Sequence, residues 1–128
     1  MIATRDKPRA LILFAHGARD AAWAEPFERL LAKVRSRARG QEVRLAFLEI
    51  MQPDLGAVAA ELIGLGATAI RILPIFLGQG GHLKRDLPAQ VDALRARYPG
   101  VELDCGPPAG EDEEILEAMT NYCVRYLT

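Results

Sequence analysis

The chain has 128 residues, 50% of them apolar and 26% charged, with a formal net charge of -1 at pH 7. That length suits one domain, residues 1–128, with a core that needs no disulfide support. No stretch approaches the roughly 18 consecutive apolar residues of a membrane span, and a near-neutral charge gives no general attraction to nucleic acid or to an anionic bilayer.

At the N-terminus, charged residues precede Ala10, and the apolar run that follows contains a histidine and lacks a small-residue cleavage site, so a cytoplasmic protein is expected. Ala10-Leu-Ile-Leu-Phe-Ala15 is almost unbroken apolar sequence ending at His16-Gly17, the pattern of a parallel strand buried on both faces. Phe27, Leu30, Leu31 and Val34 then recur at helical spacing, with Pro26 at the start and Arg35, Arg37 and Arg39 before Gly40. Val43 to Ile50 reads as a second strand. Pro53 opens a helix carrying Leu55, Val58, Ala59 and Leu62, which Gly64 and Gly66 close.

Ala69 to Leu77 forms a third expected strand, followed by a glycine loop, Gly78-Gln79-Gly80-Gly81. The next helix carries Leu87, Val91, Leu94 and Tyr98 and stops at Pro99-Gly100. Asp86 reads as its cap and Pro88 as a first-turn residue, which leaves His82 in the loop. Val101 to Cys105 makes a short fourth strand. Glu111, Asp112, Glu113 and Glu114 crowd the first turn of a last helix, where negative charge suits the dipole, and Ile115, Met119, Tyr122, Cys123 and Tyr126 form its inner stripe. Cys105 and Cys123, in no C-x-x-C spacing, read as core residues.

Four βα units imply an α/β fold: a four-stranded parallel sheet with helices on both faces, flavodoxin-like, in the strand order 2-1-3-4. So small a sheet suggests pairing with a second copy.

Ligands of open parallel sheets bind beyond the carboxyl ends of the strands. The two histidines of the chain, His16 and His82, follow the first and third strands, and Glu49 ends the second. In the order 2-1-3-4 all three face one edge and can converge, since neighbouring strands lie about 4.8 Å apart. Two imidazoles and a carboxylate suit borderline divalent ions such as cobalt, nickel, zinc and iron. Each residue also has a plainer reading, the histidines as hydrogen-bonded structural residues and Glu49 as an exposed strand-end carboxylate. The glycine run lacks the G-x-G-x-x-G spacing, and there is no Walker loop and no G-x-S-x-G, so no nucleotide cofactor and no serine hydrolysis are expected.

Two blocks resemble a known family. Leu13-Phe-Ala-His16-Gly17-Ala18-Arg19 is similar to the strand-end HGSR signature of the short-form sirohydrochlorin cobaltochelatases of cobalamin biosynthesis, relatives of the sirohydrochlorin ferrochelatases. Pro74-Ile-Phe-Leu-Gly-Gln-Gly-Gly-His82-Leu-Lys-Arg-Asp86-Leu-Pro88 resembles their longer P-x-F-L-x-x-G-x-H-x-x-x-D-I-P block. Ala18 stands where the family usually has serine, so one hydroxyl near the ligand is missing. The resemblance implies a chelatase-like fold and metal binding by His16 and His82, with Glu49 as the third metal-binding and catalytic residue. It also implies a divalent metal, cobalt first and iron or nickel next, as substrate beside a tetrapyrrole, and a homodimer. The tetrapyrrole's carboxylates would meet Arg19, Lys84 and Arg85, and Gly80 and Gly81 would let a flat ring approach the backbone.

Overall fold

The computed structural model describes residues 9–127, apart from the side chain of His82. Four strands, β1 (Arg9–Ala15), β2 (Val43–Phe47), β3 (Ala69–Pro74) and β4 (Glu102–Cys105), alternate with four α-helices, α1 (Glu25–Arg37), α2 (Leu55–Gly64), α3 (Gly81–Arg97) and α4 (Glu113–Val124). The sheet is parallel throughout, in the expected order β2-β1-β3-β4.

The alternation of side chains along each strand divides the core in two. On one face Ile12, Phe14, Ile70, Ile72 and Leu103 pack against Leu55, Val58 and Leu62 of α2 and Leu83, Leu87, Val91 and Leu94 of α3. On the other, Leu13, Val43, Leu45 and Phe47 meet Phe27, Leu30, Leu31 and Val34 of α1. Among the described residues no helix is long and apolar enough to cross a membrane.

The ends of α2 show how sequence sets a boundary. The Asp54 side chain accepts from the Ala57 amide at 2.9 Å, satisfying one of the orphan donors of the first turn. At the other end Gly66 has φ +99°, the Gly66 amide donates to the Ile63 carbonyl and the Ala67 amide to the Leu62 carbonyl, both at 3.0 Å. That is a Schellman closure, which needs a residue free to adopt positive φ.

Four expectations are corrected. First, α3 begins at Gly81 with Gly80 as its N-cap residue, so His82 lies in a helical first turn rather than a loop. Burial of Leu83, four residues before Leu87, carries the helix back over the glycine run. Second, Asp86 is therefore no cap, and Pro88 sits inside the helix, where it leaves the Lys84 carbonyl without an intrahelical donor. Third, β2 and β3 stop at Phe47 and Pro74, short of Ile50 and Leu77, because the chain turns sharply after Leu48 and Pro74 lacks an amide hydrogen. Fourth, Cys105 and Cys123 are exposed, and so are Ile115, Met119, Tyr122 and Tyr126: the stripe of α4 is apolar as read but is not buried within this chain.

Candidate functional site

The site grows from the carboxyl ends of β1 and β2. Their register pairs Ala15 with Phe47, and the Leu48 amide still donates to the Ala15 carbonyl at 2.8 Å, so His16 and Glu49 leave adjacent strands within two residues of the last pairing. Beyond it the Met51 amide donates to the Glu49 carbonyl at 2.7 Å across Ile50, whose φ is +71°. This is a γ-turn with its central residue in the region a β-branched side chain avoids. The turn folds the Glu49 carboxylate back toward β1.

There Glu49 Oε2 accepts from the Gly17 amide at 2.7 Å, and Oε1 lies 3.3 Å from His16 Nδ1. Gly17 has to be glycine for reasons of space. A Cβ there would overlap the Glu49 carbonyl oxygen and lie 3.0 Å from the Met51 nitrogen. An ionised carboxylate can only accept, so the hydrogen bond puts the proton on Nδ1 and leaves the Nε2 lone pair of a neutral imidazole free. Carboxylate support of this kind fixes the tautomer and ring orientation of a metal-binding histidine. Both side chains are about two-fifths exposed, 42% for His16 and 43% for Glu49, and so remain accessible from solvent.

Two aromatic residues, not singled out as site residues from the sequence, complete the setting of His16. The Trp23 indole Nε1 donates to the His16 carbonyl at 2.7 Å, and the Phe76 ring lies 5.0 Å from the imidazole at an interplanar angle of 45°. Trp23 belongs to a 3-10 turn, Ala21–Ala24, whose start is capped by Asp20. The available signal was a lone tryptophan seven residues after the histidine, with an N–H that seeks an acceptor.

His16, Gly17 and Glu49 are thus brought together. His82 occupies the second position of α3, its side chain lying outside the described residues. Among the described residues no three potential ligands cluster, so His16 and Glu49 stand as a pair. Gly80 and Gly81 are exposed at the start of α3, Lys84 and Arg85 are exposed in its first turns, and Arg19 is exposed three residues beyond His16. These cations form no ion pair among the described residues.

The CbiX family model matches residues 10–125. A Sulfurisphaera tokodaii protein named sirohydrochlorin cobaltochelatase is 29% identical over 112 residues, which are 85% of this chain and 86% of that protein. The sirohydrochlorin ferrochelatase of Bacillus subtilis is 27% identical over 111 residues, 87% of this chain but 42% of the relative, so the chain spans about two-fifths of that longer protein. Among solved structures, a CbiX protein from Marinobacter aquaeolei VT8, provisionally assigned to cobalamin (vitamin B12) biosynthesis, superposes with a TM-score of 0.82 at 31% identity, covering 94% of this chain and 98% of that one. With the family model spanning both motif histidines, Glu49 and all four βα units, the chain belongs to the CbiX family.

Proposed function

We propose that this chain is an ATP-independent chelatase that inserts a divalent metal, cobalt in the first place, into sirohydrochlorin or a related tetrapyrrole, acting in the cytoplasm as a homodimer. The observation that carries the reading is the contact between His16 Nδ1 and Glu49 Oε1 at 3.3 Å. It commits one nitrogen of the imidazole to a carboxylate and leaves the other for a metal.

In this reading the incoming ion exchanges water for His16 Nε2 and His82, while Glu49 orients His16 and offsets the cation's charge. The ring lies over the sheet edge, with Arg19, Lys84 and Arg85 facing its carboxylates and Gly80 and Gly81 allowing close approach. Insertion places M²⁺ on the ring nitrogens and releases two pyrrolic protons. An imidazole freed as the ion leaves it, with an ordinary pKa of about 6.5, is a suitable acceptor for one of them, and solvent takes the other. Histidine and carboxylate donors serve cobalt, iron and nickel alike, and the relatives' names divide between cobalt and iron, which favours ferrochelatase as the second reading. The homodimer draws support from the Bacillus relative being more than twice as long as the segment it shares with this chain.

The test follows the absorption of sirohydrochlorin with Co²⁺, Fe²⁺ and Ni²⁺ in parallel. Acceleration over the metal-only rate is expected, greatest with Co²⁺, and lost in His16→Ala and His82→Ala. Tight binding of metal and ring without acceleration would leave a carrier, and full activity in both variants would remove the site.

A further inference from the structure

The turn after β2 carries an apolar residue that the fold itself does not reward. Of the side chains in that turn, Leu48 packs against the core on one sheet face and Met51 against the core on the other. Ile50, between them, belongs to neither: its side chain is 65% exposed at a φ of +71°. Glycine takes such a φ without steric cost, and asparagine tolerates it better than most, whereas a β-branched side chain is among the least suited. Backbone geometry and packing thus both favour a different residue at this position. What isoleucine adds there is apolar surface open to solvent, one residue from the Glu49 carboxylate.

The same chemistry recurs around His16. Outside residues 115–127, the exposed large apolar side chains among the described residues are Trp23, Ile50, Leu65 and Leu77. Trp23 donates to the His16 carbonyl, Leu77 follows Phe76, whose ring lies beside the His16 imidazole, and Ile50 follows Glu49, which holds His16 Nδ1. Leu65 alone is elsewhere, beside Arg9 and Ala10 at the start of β1. Leu77 also lines a hollow beneath α4, which leaves Ile50 and Trp23 as the apolar groups that belong to the His16 rim alone.

Exposed apolar surface rimmed by charge marks a binding site, and the rim here is cationic, since Arg19, Lys84 and Arg85 are exposed. An apolar occupant edged with anionic groups fits this arrangement. A tetrapyrrole is such a molecule, a flat conjugated ring with apolar faces and carboxylates at its periphery. We infer that Ile50 is a ring-contacting residue, its side chain lying on the macrocycle beside the metal donors. This rests on the chelatase reading above and names the residue that seats the ring. Glu49 holds His16 while the next residue holds the substrate, so one γ-turn sets metal donor and macrocycle in a single register.

The experiment measures binding of metal-free sirohydrochlorin to the full-length protein through quenching of Trp23, the sole tryptophan. Co²⁺ affinity is measured separately by calorimetry, and Tm by circular dichroism. Ile50→Gly and Ile50→Asn relieve the turn and remove the apolar surface, and should weaken ring binding about tenfold, the effect of losing part of one isoleucine's burial. Both should keep Co²⁺ affinity within about threefold and leave Tm level or a few degrees higher. Ile50→Leu, unbranched at Cβ and equally apolar, should bind the ring within about threefold of wild type. Leu65→Asn removes a similarly exposed side chain from the opposite edge of the sheet and should leave ring binding as it was. Unchanged ring affinity in Ile50→Gly and Ile50→Asn would overturn the inference. So would a matching loss of Co²⁺ affinity or a Tm lowered by about 10 °C, either of which makes Ile50 a structural part of the turn. A wild type that binds no ring defeats this inference and the chelatase reading together. Variants that lose ring affinity as expected while wild type inserts no metal defeat only the chelatase reading; insertion by wild type with ring affinity untouched in the variants defeats only this inference.

Discussion

Gly17→Ala puts a methyl group where the chain already holds a backbone carbonyl. The new Cβ overlaps the Glu49 carbonyl oxygen and sits 3.0 Å from the Met51 nitrogen and 3.1 Å from the Glu49 carbonyl carbon. All three obstacles are main chain, so no side-chain rotation relieves them, and the γ-turn at Ile50 has to move away from β1. Overpacking of this kind costs about 1–3 kcal/mol, and the displaced turn also weakens the Gly17 amide's bond to the Glu49 carboxylate, a charge-assisted bond that contributes ~1 kcal/mol or more even when half-exposed. The sum is about 2–4 kcal/mol, which for a domain of this size lowers Tm by roughly 8–15 °C. Separating Glu49 from His16 should also weaken Co²⁺ binding about 10–100-fold, the usual effect of losing a histidine's supporting carboxylate. Thermal unfolding and titration calorimetry with Co²⁺ read the two effects. Gly64→Ala is the control: it lies at the end of α2 with nothing within 4 Å of its added Cβ, and alanine there should stabilise by up to about 1 kcal/mol. A Gly17→Ala protein with the parent's Tm and the parent's Co²⁺ affinity would refute the close approach of the two loops.

Glu49→Gln keeps an acceptor for the Gly17 amide and removes the charge, so calorimetry should show Co²⁺ affinity reduced about 10–100-fold with Tm changed by only a few degrees; unchanged affinity would deny the carboxylate its part. Trp23→Phe retains an aromatic ring near Phe27 but loses the donor to the His16 carbonyl, and the urea midpoint should report a loss of about 1 kcal/mol. Asp104→Asn tests acid stability. The hydrogen bond from the Arg71 guanidinium, then the charges of Arg71 and Arg9, hold the Asp104 carboxyl below its ordinary range. A lowered folded-state pKa stabilises above the unfolded value and is lost as pH falls through the folded one. Parent and variant should therefore differ at neutral pH, by no more than about 1 kcal/mol since the pair is partly exposed, and converge in denaturation curves taken toward pH 2.

The order and direction of the strands were legible because a parallel strand buried on both faces leaves an apolar run with no other economical reading. Ala10–Ala15 and Ala69–Pro74 are such runs, and topology alone then brought His16, Glu49 and the start of α3 to one edge. What stayed hidden was local. The contact between Glu49 and His16 depends on a positive φ at Ile50, which no propensity suggests for a β-branched residue, and on the missing Cβ of Gly17. The glycine run before His82 reads as loop, yet burial of Leu83 outweighs the poor helix propensity of Gly81 and extends α3 backward. The stripe of α4 was read as an inner face, but periodicity states only that a helix has an apolar side, and within this chain that side is exposed.

If the proposed chelatase reading holds, the strain at Ile50 bears on how the site would take up and release an ion. Its side chain is 65% exposed, so burial of Ile50 cannot offset a conformation that costs on the order of 1–3 kcal/mol. The offset has to come from the contacts on either side: the Glu49 carboxylate on the Gly17 amide, and the Phe47 amide on the Pro53 carbonyl at 2.9 Å. Those contacts hold the carboxylate against β1, so a metal bound there as proposed would spend little free energy on reorganisation. A rigid cage with a full set of protein ligands would hold the cation against transfer to the ring. Under the proposed chelatase reading, a preset His16–Glu49 pair left two-fifths open would combine ready capture with few bonds to break when the ion passes to the ring nitrogens.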